Sequence, residues 1–336
     1  MAEIGSIFIS AWVSSYHRPF AEKSFVVILM VDKKDRTHLK LLATVFLWAS
    51  SYPLGRILAS YEVPSVVVVT RLLVAFVFLI CLARWRGELK WPVTVKQLAL
   101  FFLLGFAGFC THNYLMFKAL EHTQASTGAV INGAIPIIVV LLDYLVFRRT
   151  VSGLAIIGIL VGIAGTAIVV THGDIVGAFS QGLGLGELLF LVAITGWAVY
   201  SIAVRPLFES LSPIMITAYT CLTGAILLAP AALHTLPQAV PLFYDWQVFG
   251  LALGQAIFVI GLGFLWFYEG VKSIGPARAS VYINLVPVFA IILSAITIGE
   301  KPHVSLYIGA ALILSGLFIV NYFQAKALLG KHNDSN

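Results

Sequence analysis

Long apolar runs that recur along nearly the whole chain are the feature that most restricts how this sequence can fold. Each run contains about 20 residues, the length that crosses a bilayer as an α-helix. Only 11% of the 336 residues are Asp, Glu, Lys or Arg, whereas soluble domains average about 25%. The sequence therefore predicts an all-α membrane protein that crosses the bilayer many times.

Ten runs qualify as transmembrane helices. Most connections between them are very short, so consecutive helices are predicted to be antiparallel neighbours, with no large domain outside the membrane. The predicted spans are Leu39–Ala59, Ser65–Ala83, Leu98–Ala119, Ala125–Phe147, Gly153–Val170, Gly184–Val204, Pro213–Leu233, Val248–Val271, Ala277–Ile298 and Val304–Tyr322.

Lysine and arginine are concentrated in the segments on one side of the predicted bundle. Only Arg56, Lys118 and Lys301 fall on the opposite side, and Arg71 lies inside the second span. Because basic loops stay in the cytoplasm, we expect both termini to be cytoplasmic, in the inner or plasma membrane. The net charge of +6 is then explained by contact with lipid headgroups, and no nucleic-acid partner is expected.

The first 36 residues contain apolar stretches that are too short to span and lack a signal-peptide cleavage site. We interpret residues 1–36 as a cytoplasmic extension. The three cysteines, Cys81, Cys110 and Cys221, lie in apolar runs at unrelated spacings. This spacing is typical of small buried side chains, and neither a metal nor a cofactor is expected.

The chain contains an internal repeat. Several uncommon residues recur after 149 or 151 positions: Trp48 and Trp197, Arg56 and Arg205, Pro64 and Pro213, Pro136 and Pro287, Gly158 and Gly309, Gly165 and Gly316. The predicted repeats are residues 37–171 and 184–325, and residues 326–336 form a tail. Because each repeat has five spans, the second must enter the membrane from the opposite side. Two inverted repeats are typical of secondary transporters.

The segment "IGEKPHVSLYIGAALILSGLFIV" (Ile298–Val320), together with the duplicated five-span units, resembles the ten-helix EamA group of the drug/metabolite transporter superfamily. The resemblance implies alternating-access transport of a small organic metabolite, an amino acid or a derivative, with export more usual than uptake. It also implies a cavity lined by spans one, three, four, six, eight and nine, which adds Asn132, Gln255 and Asn284 as substrate-binding candidates. Arg148 and Arg149 stand where many members have a glutamate, whereas Glu300 keeps that residue in the second repeat.

Two prolines interrupt equivalent spans. Pro136 and Pro287 free the carbonyls of Asn132 and Ile283, which protein, water or a ligand must then satisfy. Each kink has two interpretations: simple packing, or a bend that lines the central cavity. The repetition of the proline favours the second.

Polar and aromatic residues within the spans supply the other binding candidates. Arg71 either binds an anionic group of the substrate or pairs within the bundle. His112, beside Asn113, either carries a proton or hydrogen-bonds a neighbouring helix. Five rings are predicted at depth, where packing and a cavity lining are both possible: Trp48, Tyr52, Trp197, Tyr200 and Tyr282.

Two alternatives to a metabolite exporter remain at this point. An uptake or exchange carrier for a nucleotide-like or cofactor-like anion would use Arg71 as its anchor. An intramembrane enzyme is disfavoured, because no His-Glu-x-x-His, Gly-x-Gly-Asp or Gly-x-Ser-Gly pattern is present, and we expect no enzymatic activity. The Gly-x-x-x-Gly pair Gly158 and Gly162 is predicted to pack helices within one repeat or to form a homodimer contact.

Overall fold

The structure is a computed structural model that describes residues 36–91, 94–147, 153–174, 176–177, 182–274, 279 and 282–333. Every regular element in these ranges is a helix, so the predicted all-helical membrane architecture is confirmed. Predictions for residues 1–35 and for Arg148 and Arg149 lie outside the described residues.

The spans are numbered α1 to α10. Eight of them have the length and composition to cross a membrane. The apolar stretches of the other two, Val286–Ile298 and Val304–Val320, are shorter, so a count of ten membrane crossings stays a prediction. The helices are α1 Arg36–Ala59, α2 Pro64–Trp85, α3 Val95–Leu120, α4 in two pieces Ala125–Asn132 and Ile135–Phe147, α5 Gly153–Val170, α6 Leu185–Ala203, α7 Pro213–Thr235, α8 from Trp246–Gly254 to Phe264–Ile274, α9 Val286–Ile298 and α10 Val304–Asn333.

Short elements lie in two of the connections. A 3-10 turn, Arg205–Glu209, follows α6, and α7 is followed by a second 3-10 turn, Leu236–Ala239, and the helix Val240–Tyr244. The last helix, α10, continues beyond the predicted end at Tyr322. The predicted tail is therefore helical as far as Asn333.

Two helices change to π geometry in their middle, which the sequence analysis did not predict. The π segments are Gly105–Tyr114 in α3 and Gln255–Gly263 in α8. When the first segment is shifted by the repeat offset of 151 positions, its first residue falls within one residue of the start of the second segment. Both repeats therefore widen the helix at the same place, and π segments inside helices are often found at functional sites.

Each repeat packs mainly against the other repeat. Helix α5 lies against α10, α2 against α7, and α1 against α9 and α8, while α6 contacts α4 and α3. The α5–α10 crossing shows the symmetry directly. A β-carbon on Gly158 would lie 2.7 Å from the carbonyl oxygen of Gly316, and one on Gly165 would lie 2.8 Å from that of Gly309.

The two glycine contacts are related by the symmetry of the repeats. Gly158 is equivalent to Gly309 and Gly165 to Gly316, so swapping the repeats turns one contact into the other. The earlier glycine of α5 contacts the later glycine of α10, and the later contacts the earlier, so the two helices are antiparallel. Equivalent helices therefore run in opposite directions, as inverted repeats require.

The prediction that the Gly158 and Gly162 pair packs within one repeat is wrong for Gly158, which meets the other repeat. A β-carbon on Gly162 would instead meet Ile137 of the same repeat. The homodimer stays a prediction.

The proline-containing helices are both interrupted before their prolines. Helix α4 turns at Gly133 and Ala134, and α9 turns at the equivalent Asn284 and Leu285. The two interruptions lie close together, since a β-carbon on Gly133 would be 3.2 Å from Cγ of Pro287. The kinks therefore pack against each other across the repeat boundary, and Asn132 ends the first piece of α4 beside this contact.

Polar contacts close the bundle at both ends. We call the end where α1 begins the N side and the other end the distal side. On the N side, Glu269 of α8 binds Lys40 of α1 at 2.6 Å and Arg86 after α2 at 3.0 Å. On the distal side, the Glu300 carboxylate accepts hydrogen bonds from the backbone N–H groups of Ala125 and Ser126, at 2.7 and 3.0 Å.

Candidate substrate-binding site

A polar pair lies where α3 meets α4. Nε2 of His112, in the π segment of α3, is 3.0 Å from Oδ1 of Asn132. Because an amide oxygen only accepts hydrogen bonds, Nε2 carries the proton. The other ring nitrogen, Nδ1, is buried and has no hydrogen-bond partner among the described residues. Tyr52 of α1 also lies next to Asn132, so three helices meet at this amide.

Aromatic rings continue from this pair toward the N side. The His112 ring lies 4.8 Å from Trp197 of α6, which stacks on Tyr200 at 4.9 Å. Phe264 of α8 contacts both Trp197, at 5.9 Å, and Trp48 of α1, at 5.4 Å. The two repeat-related tryptophans are thus joined through one phenylalanine.

Further contacts fix the ends of this group of rings. Trp48 donates its indole N–H to the carbonyl of Val259, in the π segment of α8, at 3.3 Å. The hydroxyl groups of Tyr200 and Tyr268 lie near each other. We call Trp48, Trp197, Tyr200, Phe264 and Tyr268 the aromatic layer.

Five polar residues lie at one depth, nearer the distal side. Each is seven to nine residues from the distal end of its helix, which corresponds to about 10–14 Å at 1.5 Å per residue. We call them the polar layer: Tyr52 of α1, Arg71 of α2, His112 of α3, Asn132 of α4 and Gln255 of α8. The aromatic layer begins about 16 Å from the same ends. The two layers adjoin each other where His112 contacts Trp197, so polar groups lie on one side of this contact and rings on the other.

Arg71 is the buried cation of the polar layer. It is 2% exposed, and its Cζ lies 4.7 Å from the ring centre of Phe117 in α3. Its Nε and Nη1 atoms make no hydrogen bond within the described residues. The Phe117 ring in turn lies beside Gly55 of α1, one turn from Tyr52. Arg71 is therefore linked indirectly, through Phe117 and α1, to the group formed by Tyr52, Asn132 and His112.

Two other predicted residues occupy the π segments. Gln255 opens the segment of α8 and is 1% exposed, and both its amide atoms lack a partner among the described residues. Asn113 is buried, but its amide donates to the carbonyl of Gly108 in its own helix, at 3.3 Å. Asn113 thus has a local role in supporting the π geometry, whereas Gln255 has an unused donor and acceptor.

The remaining predicted residues lie apart from these layers. Tyr282 contacts the His38 ring near the beginning of α1 on the N side, through its hydroxyl and its ring. Asn284 lies half-buried in the turn of α9. Pro136 and Pro287 adjoin the turns described above. The structure therefore brings together Trp48, Tyr52, His112, Asn132, Trp197 and Tyr200, with Arg71 joined through Phe117.

Phe117, Phe264 and Tyr268 belong to this arrangement but were not predicted. Phe117 and Tyr268 are separated by the repeat offset of 151 positions, so the repeat itself held the signal for this pair. Phe264 had no such signal, because its equivalent is Asn113. Among the described residues, no group of three or more His, Cys, Asp and Glu side chains is placed to hold a metal ion.

A family model described as "EamA-like transporter family" matches residues 36–171 and again residues 184–322. The chain belongs to the EamA-like transporter family. The two matched stretches of this transporter correspond to the two repeats seen in its packing. The expected resemblance to the drug/metabolite transporter superfamily is thereby confirmed, and the protein is a multi-pass membrane transporter.

Curated relatives of this EamA-like transporter are similar over most of their length. It is 28% identical to "Uncharacterized transporter YyaM" of Bacillus subtilis (strain 168) over 281 residues, which cover 83% of this chain and 92% of that protein. It is 26% identical to "Probable terminal-alkyne amino-acid exporter" of Streptantibioticus cattleyicolor over 299 residues, covering 88% and 95%. A solved crystal structure aligns with a TM-score of 0.57 and 20% identity, covering 85% of this chain and 96% of that one.

Proposed function

We propose that the protein exports an amino acid or an amino-acid derivative with an apolar side chain, by alternating access between its two repeats. The observation that carries this proposal is the pairing of the two layers. The polar layer offers hydrogen-bonding groups to a compact polar head, and the aromatic layer offers rings to an apolar side chain. The name of the Streptantibioticus relative supports the same substrate class.

The unpaired Nδ1 of His112 suits the ammonium group of such a substrate. Because Nε2 donates to Asn132 at 3.0 Å, Nδ1 is an acceptor, and a substrate ammonium can donate to it. The His112 ring also contacts Trp197, and aromatic rings attract cations. The ammonium site and the apolar site are therefore adjacent.

The alternative of a nucleotide-like or cofactor-like anion is less well matched by charge. Among the described residues, Arg71 is the only Lys or Arg that is buried. One cation balances one carboxylate, whereas a polyphosphate needs several. We therefore favour the amino-acid class, in a carrier without enzymatic activity that is inserted in the cell membrane with both termini in the cytoplasm.

The test is efflux from proteoliposomes loaded with single radiolabelled amino acids: leucine, phenylalanine and tryptophan, with aspartate and adenosine monophosphate as charged comparisons. We expect efflux of at least one apolar amino acid. His112→Phe retains a ring against Trp197 but removes Nδ1 and the hydrogen bond to Asn132, and should reduce that efflux about tenfold, the effect of 1.4 kcal/mol. The lipid-facing variant Phe106→Leu, in the same π segment, serves as the control.

Efflux of adenosine monophosphate alone would favour the anion carrier instead. A protein that moves none of these compounds, although it is folded and inserted, would rule out the proposal. Equal efflux by His112→Phe and the wild type would show that the polar layer does not take part in substrate binding.

A further inference from the structure

Arg71 has a charge that the described part of the protein does not balance. It is 2% exposed, and no described Asp or Glu lies within ion-pair distance of it. Its contact with Phe117, at 4.7 Å, compensates only part of the cost of removing a guanidinium from water. The Nε and Nη1 donors remain without acceptors.

The second repeat does not supply the missing charge. The residue equivalent to Arg71 is Thr220 in α7, and its hydroxyl donates to the carbonyl of Ile216 in the same helix, at 2.7 Å. Cys221, the next residue of α7, is also buried. The first repeat thus places a positive charge at this position, and the described part of α7 places a hydroxyl and a thiol there.

Gln255 is a second, independent unsatisfied group. It is 1% exposed, and neither its Nε2 nor its Oε1 has a partner among the described residues. Its π segment packs against α1 and α2, the helices that carry Tyr52 and Arg71. A native structure keeps few buried polar groups unsatisfied. The polar layer has three such residues, because Nδ1 of His112 also lacks a partner among the described residues, and together they indicate a ligand that completes them.

The geometry points to Arg71 as the counter-charge for the substrate carboxylate, with Gln255 as an additional donor. This assignment rests on the proposed function. It makes the transported compound a zwitterion whose carboxylate faces α2 and α8 and whose ammonium faces His112. Arginine suits this role, because its fork of N–H donors matches the two oxygens of a carboxylate.

The experiment compares each amino acid with its amide, which has nearly the same shape but no negative charge. Phenylalanine and phenylalaninamide are the probes, measured as efflux from proteoliposomes and as thermal stabilisation of the purified protein. The variant is Arg71→Met, which preserves the long side chain and removes the charge. Arg71→Lys keeps the charge without the fork, and Val77→Met, on the exposed face of the same helix, is the matched control.

We expect the wild type to transport phenylalanine at least about tenfold faster than the amide, because a lost charge-assisted hydrogen bond corresponds to a decade or more in affinity. Arg71→Met should lose this preference by losing phenylalanine transport while efflux of the amide persists. Arg71→Lys should keep part of the preference for phenylalanine over its amide. Since replacing an unpaired buried charge by an apolar side chain is neutral or stabilising, ligand-free Arg71→Met should unfold at the wild-type temperature or above.

Equal transport of acid and amide by the wild type would overturn the Arg71 assignment and leave the proposed amino-acid exporter intact. So would an unchanged preference in Arg71→Met. A ligand-free Arg71→Met protein that unfolds at a much lower temperature would show that Arg71 has a structural partner, and would also overturn it. If the wild type moves and binds no amino acid at all, the proposed function fails and this assignment fails with it.

Discussion

Single residues differ between the two repeats at positions where the backbones correspond. Arg71 is equivalent to Thr220, and Lys118 is equivalent to Glu269. Lys118 pairs with Glu121 one turn away in sequence, whereas Glu269 joins two other helices. A symmetric backbone therefore carries an asymmetric set of charges, and substrate selectivity and gating can reside in these differences.

A second residue-level feature is the contact between two loops on the distal side. Tyr61, between α1 and α2, donates its hydroxyl to Oδ2 of Asp245 at 2.9 Å. Asp245 also caps α8, accepting from the backbone N–H groups of Gln247 and Val248. The hydrogen bonds from Val248, Tyr61 and Gln247 lower the pKa of Asp245, and the hydrogen bond to Asp245 raises the pKa of Tyr61.

Replacing Asp245 by alanine should therefore have a pH-dependent effect on stability. A carboxyl group with a lowered pKa stabilises the folded state above its unfolded pKa, and this contribution disappears as the pH falls through the folded pKa. We expect Asp245→Ala to unfold at a lower temperature than the wild type at neutral pH, with the difference shrinking in strong acid. Unfolding temperatures measured from neutral to acidic pH test this.

Glu209→Ala, also in a loop but on the N side, is a suitable comparison, since it tests whether any surface acid has the same effect. A deficit of Asp245→Ala that is constant over the whole pH range would contradict the assigned charge effect.

Among the elements, the crossing of α5 and α10 tolerates the least change. The surfaces that meet there are backbone atoms: a β-carbon on Gly158 would lie 2.7 Å from a carbonyl oxygen and 2.8 Å from the amide nitrogen of Val320. Small residues let helices approach this closely, and the resulting van der Waals contact drives association in lipid. This crossing fastens the two repeats to each other.

Gly158→Val should therefore destabilise the protein by roughly 1–3 kcal/mol, the usual cost of overpacking. Gly153→Ala, at the start of the same helix, is the control, because nothing lies within 4 Å of a β-carbon there. Unfolding curves in detergent should show a lower midpoint for Gly158→Val and little change for Gly153→Ala. Similar midpoints for both variants would mean that the crossing is loose.

At the scale of the whole molecule, Glu269 is the acidic residue that joins several helices at the N side, where Thr37 of α1 also hydrogen-bonds Ser273 of α8. Glu269 holds Lys40 at 2.6 Å and Arg86 at 3.0 Å, and its side chain is 30% exposed. These contacts connect α8 to α1 and to the end of α2. Breaking them would loosen the N-side ends of these helices while the α5–α10 crossing still joins the repeats, which is a movement that the proposed alternating access requires.

Glu269→Gln should increase opening on the N side. Partly exposed ion pairs contribute about 0.2–1 kcal/mol each, so losing two of them should raise the open population about two- to thirtyfold. The measurement is the rate at which a thiol reagent modifies Thr44→Cys, a buried site on α1, in a background without the native cysteines. Lys118→Gln, at the equivalent position near the distal side, is the control. An unchanged modification rate would show that the ion pairs do not hold the N side closed.

The sequence by itself determined the architecture, because its signals are local or periodic. The length of the apolar runs indicated membrane helices, and the recurrence of Trp48, Pro136 and Gly158 after a fixed offset indicated two repeats. The family resemblance from Ile298–Val320 is confirmed by the match over both repeats. Rings and polar groups inside apolar spans could also be selected as site candidates without coordinates, and their roles stay predictions.

Only the tertiary structure decided which of these groups meet. It joined His112 to Asn132 and to Trp197, placed Tyr282 against His38 near the N side, and turned the amide of Asn113 back onto its own helix. It also introduced the two π segments. These outcomes depend on how helices rotate and cross between the repeats, and on close backbone contacts such as Gly158 with Gly316. Such contacts join residues far apart in the chain, so no local pattern contains them.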